Sequence, residues 1–257
     1  MRRFTWLIIY LLFFSPALSE GKGLTERSLE EIFFEANQAY QDGRFQDAFK
    51  GYFRLVENGL ENGHIYYNLG NACFRIGELG KAILFYERAR LFIPRDADLN
   101  FNLSYARDQT LDVIDESLDF ISQSFFWLAE LSLYEIFLAF TLLNILFFAI
   151  LFVRLFNTAE WTYYFFIILL IFTLIGASSF ALKYYQSKTD DRAVILAQEV
   201  DVLAGPDPQD TVLFKLHEGA VVHHERSEDG WHLIYLCSER RGWVRSQDLK
   251  KIIATNR

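Results

Sequence analysis

His64-Ile-Tyr-Tyr-Asn-Leu-Gly-Asn-Ala-Cys-Phe-Arg-Ile-Gly-Glu-Leu-Gly-Lys-Ala-Ile-Leu-Phe-Tyr-Glu-Arg-Ala-Arg-Leu-Phe-Ile-Pro94 is the stretch that decides how this chain is read. Its landmarks recur upstream at a fixed distance. Gly77, Ala82 and Tyr86 repeat Gly43, Ala48 and Tyr52, each 34 residues earlier. A period of that length marks a stack of helix–turn–helix units. Glycines and turn residues punctuate the pattern and predict helices near Leu29–Asp42, Phe45–Asn58, Gly63–Ile76 and Leu79–Phe92. A fifth helix, about Ala97 to Val113, is expected to cover the apolar face that the last unit leaves open. The array is expected over residues 20–116.

The second unit resembles the tetratricopeptide repeat (TPR). Tyr66 stands where that motif has its tryptophan, and Leu69-Gly70, Ala82, Tyr86, Ala89 and Pro94 follow in place. The first unit departs from the pattern at Ile32, Glu35 and Ala36. The resemblance implies a protein that grips other chains. A second periodicity runs through the first helix of each pair: Asn37 and Asn71 are 34 apart, as are Asn68 and Asn102. In the TPR pattern these positions face a concave groove, where Asn37 should meet Asn68 and Asn71 should meet Asn102. A carboxamide both donates and accepts, so paired asparagines can hold an extended peptide backbone. Phe33, Tyr67 and Phe101 occupy further groove positions, and Arg75 is the main basic contributor. With so few cations, the expected ligand is an extended peptide with apolar side chains rather than a free carboxylate. The alternative, that the amides satisfy groups inside the array, predicts the same spacing.

Three apolar runs shape the rest. Arg2-Arg3, a short apolar core from Phe4 to Phe14 and Ala17-Leu18-Ser19 read as a signal peptide over 1–19. A run of about 11 residues is too short to span roughly 30 Å of hydrocarbon. The second and third runs predict transmembrane helices over 133–156 and 161–183, with Tyr134, Trp161, Tyr163, Tyr164, Tyr184 and Tyr185 at their ends. A tight connection between them makes a hairpin, so both soluble parts lie on one side. The signal peptide places that side outside the cytoplasm, with the chain held in a bacterial inner membrane. Asn144 is expected to bond across to Thr173 or Ser178. Residues 117–132 read as an interfacial linker.

From 189 to 252 short alternating strands are separated by glycine and proline. Leu216-His-Glu-Gly219, Gly230-Trp231, Gly242-Trp243-Val244 and Ser246-Gln-Asp-Leu249 resemble the bacterial SH3-like (SH3b) barrel. The fold class expected for the whole is therefore a multidomain membrane protein: all-α TPR hairpins, two transmembrane helices and a small all-β SH3-like barrel. Trp231 and Trp243 are the candidate ligand face of the barrel, against the alternative of core and rim packing. His223 and His224 are adjacent in a strand, so they point to opposite faces and do not readily share a metal. No metal site is expected. Cys73 and Cys237 form no ligand spacing and read as small buried residues.

The chain of 257 residues carries a net charge of −8, which argues against nucleic acid as a partner. The acidity is local. Glu20 to Glu130 holds 19 acidic and 11 basic residues, a balance of −8, whereas Lys183 to Arg257 holds 12 and 11, a balance of −1. No Gly-x-Ser-x-Gly, His-Glu-x-x-His or phosphate-cradling loop is present, so no enzyme and no cofactor is expected. The order of signal, TPR, membrane hairpin and SH3b is similar to that of BatE-type proteins of the bacterial aerotolerance (Bat) operon. The similarity is most specific at Tyr66-Tyr-Asn-Leu-Gly-Asn-Ala72, Ala82-Ile-Leu-Phe-Tyr-Glu-Arg-Ala-Arg90 and Pro94-Arg-Asp-Ala-Asp-Leu99. It implies a scaffold whose partners are membrane-anchored von Willebrand A-domain proteins. The rival expectation is a cell-wall-targeting protein whose SH3b module binds peptidoglycan while the TPR array recruits a hydrolase.

Overall fold

A computed structural model describes residues 26–112, 125–157, 159–236 and 240–253. The expected signal peptide, the first half of the expected linker and Cys237 lie outside the described residues. Among the described residues five helices come first: α1 (Glu26–Gln41), α2 (Phe45–Glu57), α3 (Gly63–Ile76), α4 (Leu79–Phe92) and α5 (Ala97–Arg107). Each packs on the next. The 34-residue period has a direct structural counterpart. Gly43 and Gly77 turn the chain after the first helix of each pair at φ of 77° and 91°, a conformation that favours glycine. Tyr52 and Tyr86 are buried, and their hydroxyls donate to Asn37 Oδ1 at 2.7 Å and Asn71 Oδ1 at 2.8 Å. Each bond spans the same 15 residues. A β-carbon on Gly70 would lie 2.4 Å from the Tyr86 ring, so this glycine sets how closely α3 approaches α4.

Local chemistry starts these helices. The Asn62 side chain accepts from the His64 N–H at 2.8 Å and caps α3, and Asp96 does the same for Leu99 in α5. The fifth helix stops at Arg107, short of the expected Val113. Thr110 Oγ1 donates to the Arg107 carbonyl at 2.8 Å, satisfying one of the terminal acceptors. Asp112 then accepts from the backbone N–H of His217 at 2.6 Å. The long-range contact overrides continuation of the helix.

A short helix, α6 (Trp127–Glu130), leads into two long ones, α7 (Leu133–Phe156) and α8 (Glu160–Thr189). Ser132 and Glu135 form a reciprocal capping box that starts α7. Both long helices are long and apolar enough to cross a membrane. At 1.5 Å per residue, 24 residues reach about 36 Å, enough for roughly 30 Å of hydrocarbon. They pack along one another through Phe140 and Phe180, stacked at 6.0 Å, and through Gly176, beside Phe140 and Leu143. The bond expected across the hairpin from Asn144 is not formed. Its amide donates to the Phe140 carbonyl one turn back at 2.8 Å, and Ser178 likewise turns to Leu174. Thr173 Oγ1, the other expected partner, is buried without a hydrogen bond among the described residues. A carbonyl on the same helix is near at hand for Asn144 and Ser178, whereas a partner on the neighbour must be in register. Trp127 Nε1 donates to Ser179 Oγ at 3.1 Å, and Lys183 to the Leu128 carbonyl, so α6 is packed against α8.

Seven strands complete the fold: β1 (Arg192–Ile195), β2 (Glu199–Leu203), β3 (Val212–His217), β4 (Val221–Glu228), β5 (Trp231–Leu236), β6 (Arg240–Arg245) and β7 (Leu249–Lys251). They form one antiparallel sheet in the order β3-β2-β6-β5-β4-β1-β7. Its inner face buries Ile195, Val202, Val222, Ile234 and Val244.

The sheet is packed onto the helices rather than tethered beside them. Val194 and Ile252 belong to the same buried cluster as Leu69, Ile83 and Tyr86. Residues 82–87 of α4 are buried without interruption, so α4 is covered on every side. At its N-terminus, Gly80 donates its N–H to Glu218 Oε1 at 2.8 Å, a carboxylate placed where the helix dipole favours negative charge. Arg88 donates to the Ile252 and Lys251 carbonyls at 2.8 and 2.9 Å. Between them lies Glu87, fully buried, ion-paired with Arg90 of α4, Arg107 of α5 and Arg192 of β1. Arg95 pairs with Glu135, tying the loop after α4 to the start of α7.

Candidate binding surfaces

The groove positions named from the sequence fall on α1, α3 and α5. Tyr67, Asn71 and Asn102 are brought together: Asn102 Nδ2 donates to the Tyr67 hydroxyl and to Asn71 Oδ1, both at 3.0 Å. The expected meeting of Asn71 with Asn102 therefore forms. That of Asn37 with Asn68 does not form among the described residues, and the Asn37 oxygen accepts from Tyr52 instead. Asn71 carries two roles, since the same oxygen also accepts from the buried Tyr86 hydroxyl. Asn37 and Asn71 thus act as ties within the array. Asn68, half-buried, makes no side-chain hydrogen bond among the described residues. Arg75 is exposed, and its guanidinium lies over the Phe45 ring at 4.6 Å.

What stands open on this side is aromatic. Phe101 is 70% exposed and Tyr105 54%, and their rings stack at 6.4 Å with 7° between planes. Phe74 flanks Tyr105 at 5.7 Å. Sequence reading named Phe101 and passed over Tyr105 and Phe74. The signal was available: residues 101 and 105 are four apart and share one face of a helix.

Trp231 and Trp243 lie on neighbouring strands, where Leu233 of β5 faces Trp243 of β6. With Leu203 and Leu233 they form a small buried cluster separate from the main core of the sheet. They are only 9% and 6% exposed, and arginines cover their rings: Arg245 over Trp231 at 5.5 Å and Arg226 over Trp243 at 5.2 Å. This is packing under a guanidinium lid. A shallow depression lined by Pro208, Gly230, Trp231, Arg245, Ser246 and Gln247 adjoins it.

The histidines separate into distinct settings. His217 lies against Asp112. His223 Nδ1 is 2.8 Å from Asp191 Oδ1 and stacks on Tyr235, whose hydroxyl donates to the same carboxylate. His224 points the other way and meets His232 through Ser227. Burial, then the neighbouring His224 and Lys251, depress His232 to about 4. Unfolded histidine takes up its proton near pH 6.5, so the unfolded chain binds a proton over the window from about 6.5 to 4 that native His232 refuses. Stability should be level above pH 6.5 and fall as pH drops through that window. Thermal midpoints at pH 7.5 and 5 measure the slope, and His232→Asn should flatten it. Cys73 is buried and unpaired, and burial pushes its thiol up to about 12. A thiol so reluctant to ionise is poorly suited to nucleophilic work.

No protein-family model matches this sequence, and a search of characterised proteins finds no match.

Proposed function

We propose that the chain is a membrane-anchored adaptor that holds an extended, apolar segment of a protein partner against α1, α3 and α5. In this reading the helical array is a TPR domain and the sheet an SH3b module. The helix pair α7–α8 is the anchor, in a bacterial inner membrane, with both soluble parts outside the cytoplasm. The observation that carries it is the open aromatic face. Phe101 and Tyr105 present stacked rings to solvent, the Asn68 side chain on α3 makes no hydrogen bond among the described residues, and the sheet covers α4. Large aromatics carry a disproportionate share of binding energy, and a free amide can pair with an extended backbone. The similarity to BatE-type proteins makes membrane-anchored von Willebrand A-domain proteins the first candidates for the partner. The arginine-covered tryptophans give the sheet no open aromatic platform, so groove binding takes precedence over peptidoglycan binding.

The test is crosslinking and affinity capture from membranes with point variants of the full chain. Deleting the array is uninformative, because the sheet packs on α4 and would lose its support. Asn71→Ala is equally ambiguous, since it strands the Tyr86 hydroxyl. Phe101→Ala with Tyr105→Ala should reduce capture about tenfold, as expected when an anchor worth about 1–2 kcal/mol is truncated. Asn68→Ala should weaken it less. Capture unchanged in both variants would remove the groove from the proposal.

A further inference from the structure

We propose that His224 and His232 form a binding site for a divalent late-transition-metal ion such as Zn(II) or Cu(II). The site depends on an irregularity in β4. In a regular strand residues three apart face opposite sides of the sheet. Between His224 and Arg226 the register shifts, leaving Glu225 as an extra residue. His224 then stands opposite Ile234 and Ser227 opposite His232. Ile234 and His232 share a face, so His224 and Ser227 share it too.

The consequence is a convergence that strand alternation alone forbids. His224 Nε2 lies 2.9 Å from Ser227 Oγ, and His232 Nδ1 lies 2.8 Å from the same oxygen. The two rings are 4.9 Å apart at 75°. Two imidazole nitrogens aimed at one point are the core of a nitrogen-donor metal site. Ser227 Oγ stands at that point and must rotate aside for an ion to enter; each nitrogen then needs to move by less than about 1 Å toward it to reach a metal–nitrogen bond of about 2.0–2.1 Å. A single hydroxyl can donate to only one nitrogen. In the metal-free arrangement one imidazole must therefore donate to Ser227 while the other accepts from it.

The donor set selects the class of ion. Imidazole suits zinc, copper and nickel, whereas calcium and magnesium need several oxygens. Among the described residues no group of three histidine, cysteine or carboxylate side chains forms at this place. Both rings are partly exposed, so water can complete the coordination. Lys251 is close enough to act on both rings. Its charge opposes any cation at this place, so retention rests on the directed nitrogen bonds. His223 is not available, being held by Asp191 and Tyr235 on the opposite side.

Full-length protein in detergent micelles is titrated with Zn(II) alone, and the Cu(II)-loaded protein is examined by electron paramagnetic resonance. The expected result is one zinc site whose affinity falls about tenfold or more in His224→Asn and in His232→Asn, since loss of a ligand exceeds loss of a supporting contact. It should be unchanged in His223→Asn. The copper spectrum should report two imidazole nitrogens in the native protein and one in each of the first two variants. Circular dichroism confirms that the variants are folded. Zinc binding that is equal in native, His224→Asn and His232→Asn proteins would overturn the proposal. So would native protein that retains no zinc at millimolar concentration, or a copper spectrum unaltered by His232→Asn.

Discussion

Replacing Glu87 with alanine is expected to cost about 3–5 kcal/mol, the range for removing one member of a buried ion-pair network. The Glu87 side chain is fully buried in α4, and three guanidiniums surround it. Arg90 comes from the next turn of the same helix, at 2.9 Å. Arg107 comes from α5, and Arg192, at 3.3 Å, from β1 in the sheet. Each arginine retains some exposure, so water relieves part of the repulsion left behind and the lower half of the range is the better guide. Asp190, paired with Arg192 at 2.7 Å, would stay in contact with that guanidinium. Glu87→Gln keeps the shape and one acceptor oxygen, and should fall between native and alanine. Thermal or chemical unfolding in micelles measures both. A loss below about 0.5 kcal/mol, the scale of an exposed pair, would mean that the network holds nothing together.

Gly80→Ala pits two effects against each other, and their sum has a definite sign. Alanine is the better helix former by about 1 kcal/mol, so helix propensity alone would make the substitution stabilising. The position, however, faces the sheet. A β-carbon there would lie 2.6 Å from the Ile195 carbonyl oxygen, 2.9 Å from Glu218 Cγ and 3.2 Å from Leu196 Cα. The Glu218 side chain can swing aside, but the carbonyl and Cα are backbone, and relief requires moving β1 off α4. The same shift stretches the bond from the Gly80 N–H to Glu218. Overpacking of this kind costs about 1–3 kcal/mol, so a net loss is expected. It should be localised at the contact between array and sheet. Hydrogen exchange at the Ile195 and Gly219 amides, both bonded within this turn, should accelerate. Stabilisation with unchanged exchange would show that the sheet yields without penalty.

These two residues mark where sequence reading reached its limit. The helices of the array were legible because their signals are local: glycines 34 apart in the turns, and alanine and tyrosine at fixed offsets. The two apolar helices were legible from run length, and the strands from alternation broken by glycine and proline. The burial of α4 had a local trace as well, since Ala82-Ile-Leu-Phe-Tyr86 is apolar without a break and a helix apolar all round is covered all round. The sequence was divided into separate modules instead, and the sheet was assigned no place on the helices.

The candidate surfaces were only partly legible for a related reason. Phe101, Asn71 and Asn102 were found from the repeat. An asparagine at a repeating position looks the same whether it faces a ligand or bonds a tyrosine 15 residues on, and only the fold shows that Asn37 and Asn71 do the latter. The sequence by itself determined the period, the helix starts, the apolar runs and the strand alternation, because each depends on residues within a turn or two of one another. The tertiary structure alone decided that Glu87 meets Arg192 from 105 residues away, that Gly80 lies under the carbonyl of Ile195, and that one extra residue in β4 turns His224 toward His232. Those contacts come from packing between distant elements and from strand register, and neither is set by a neighbour along the chain.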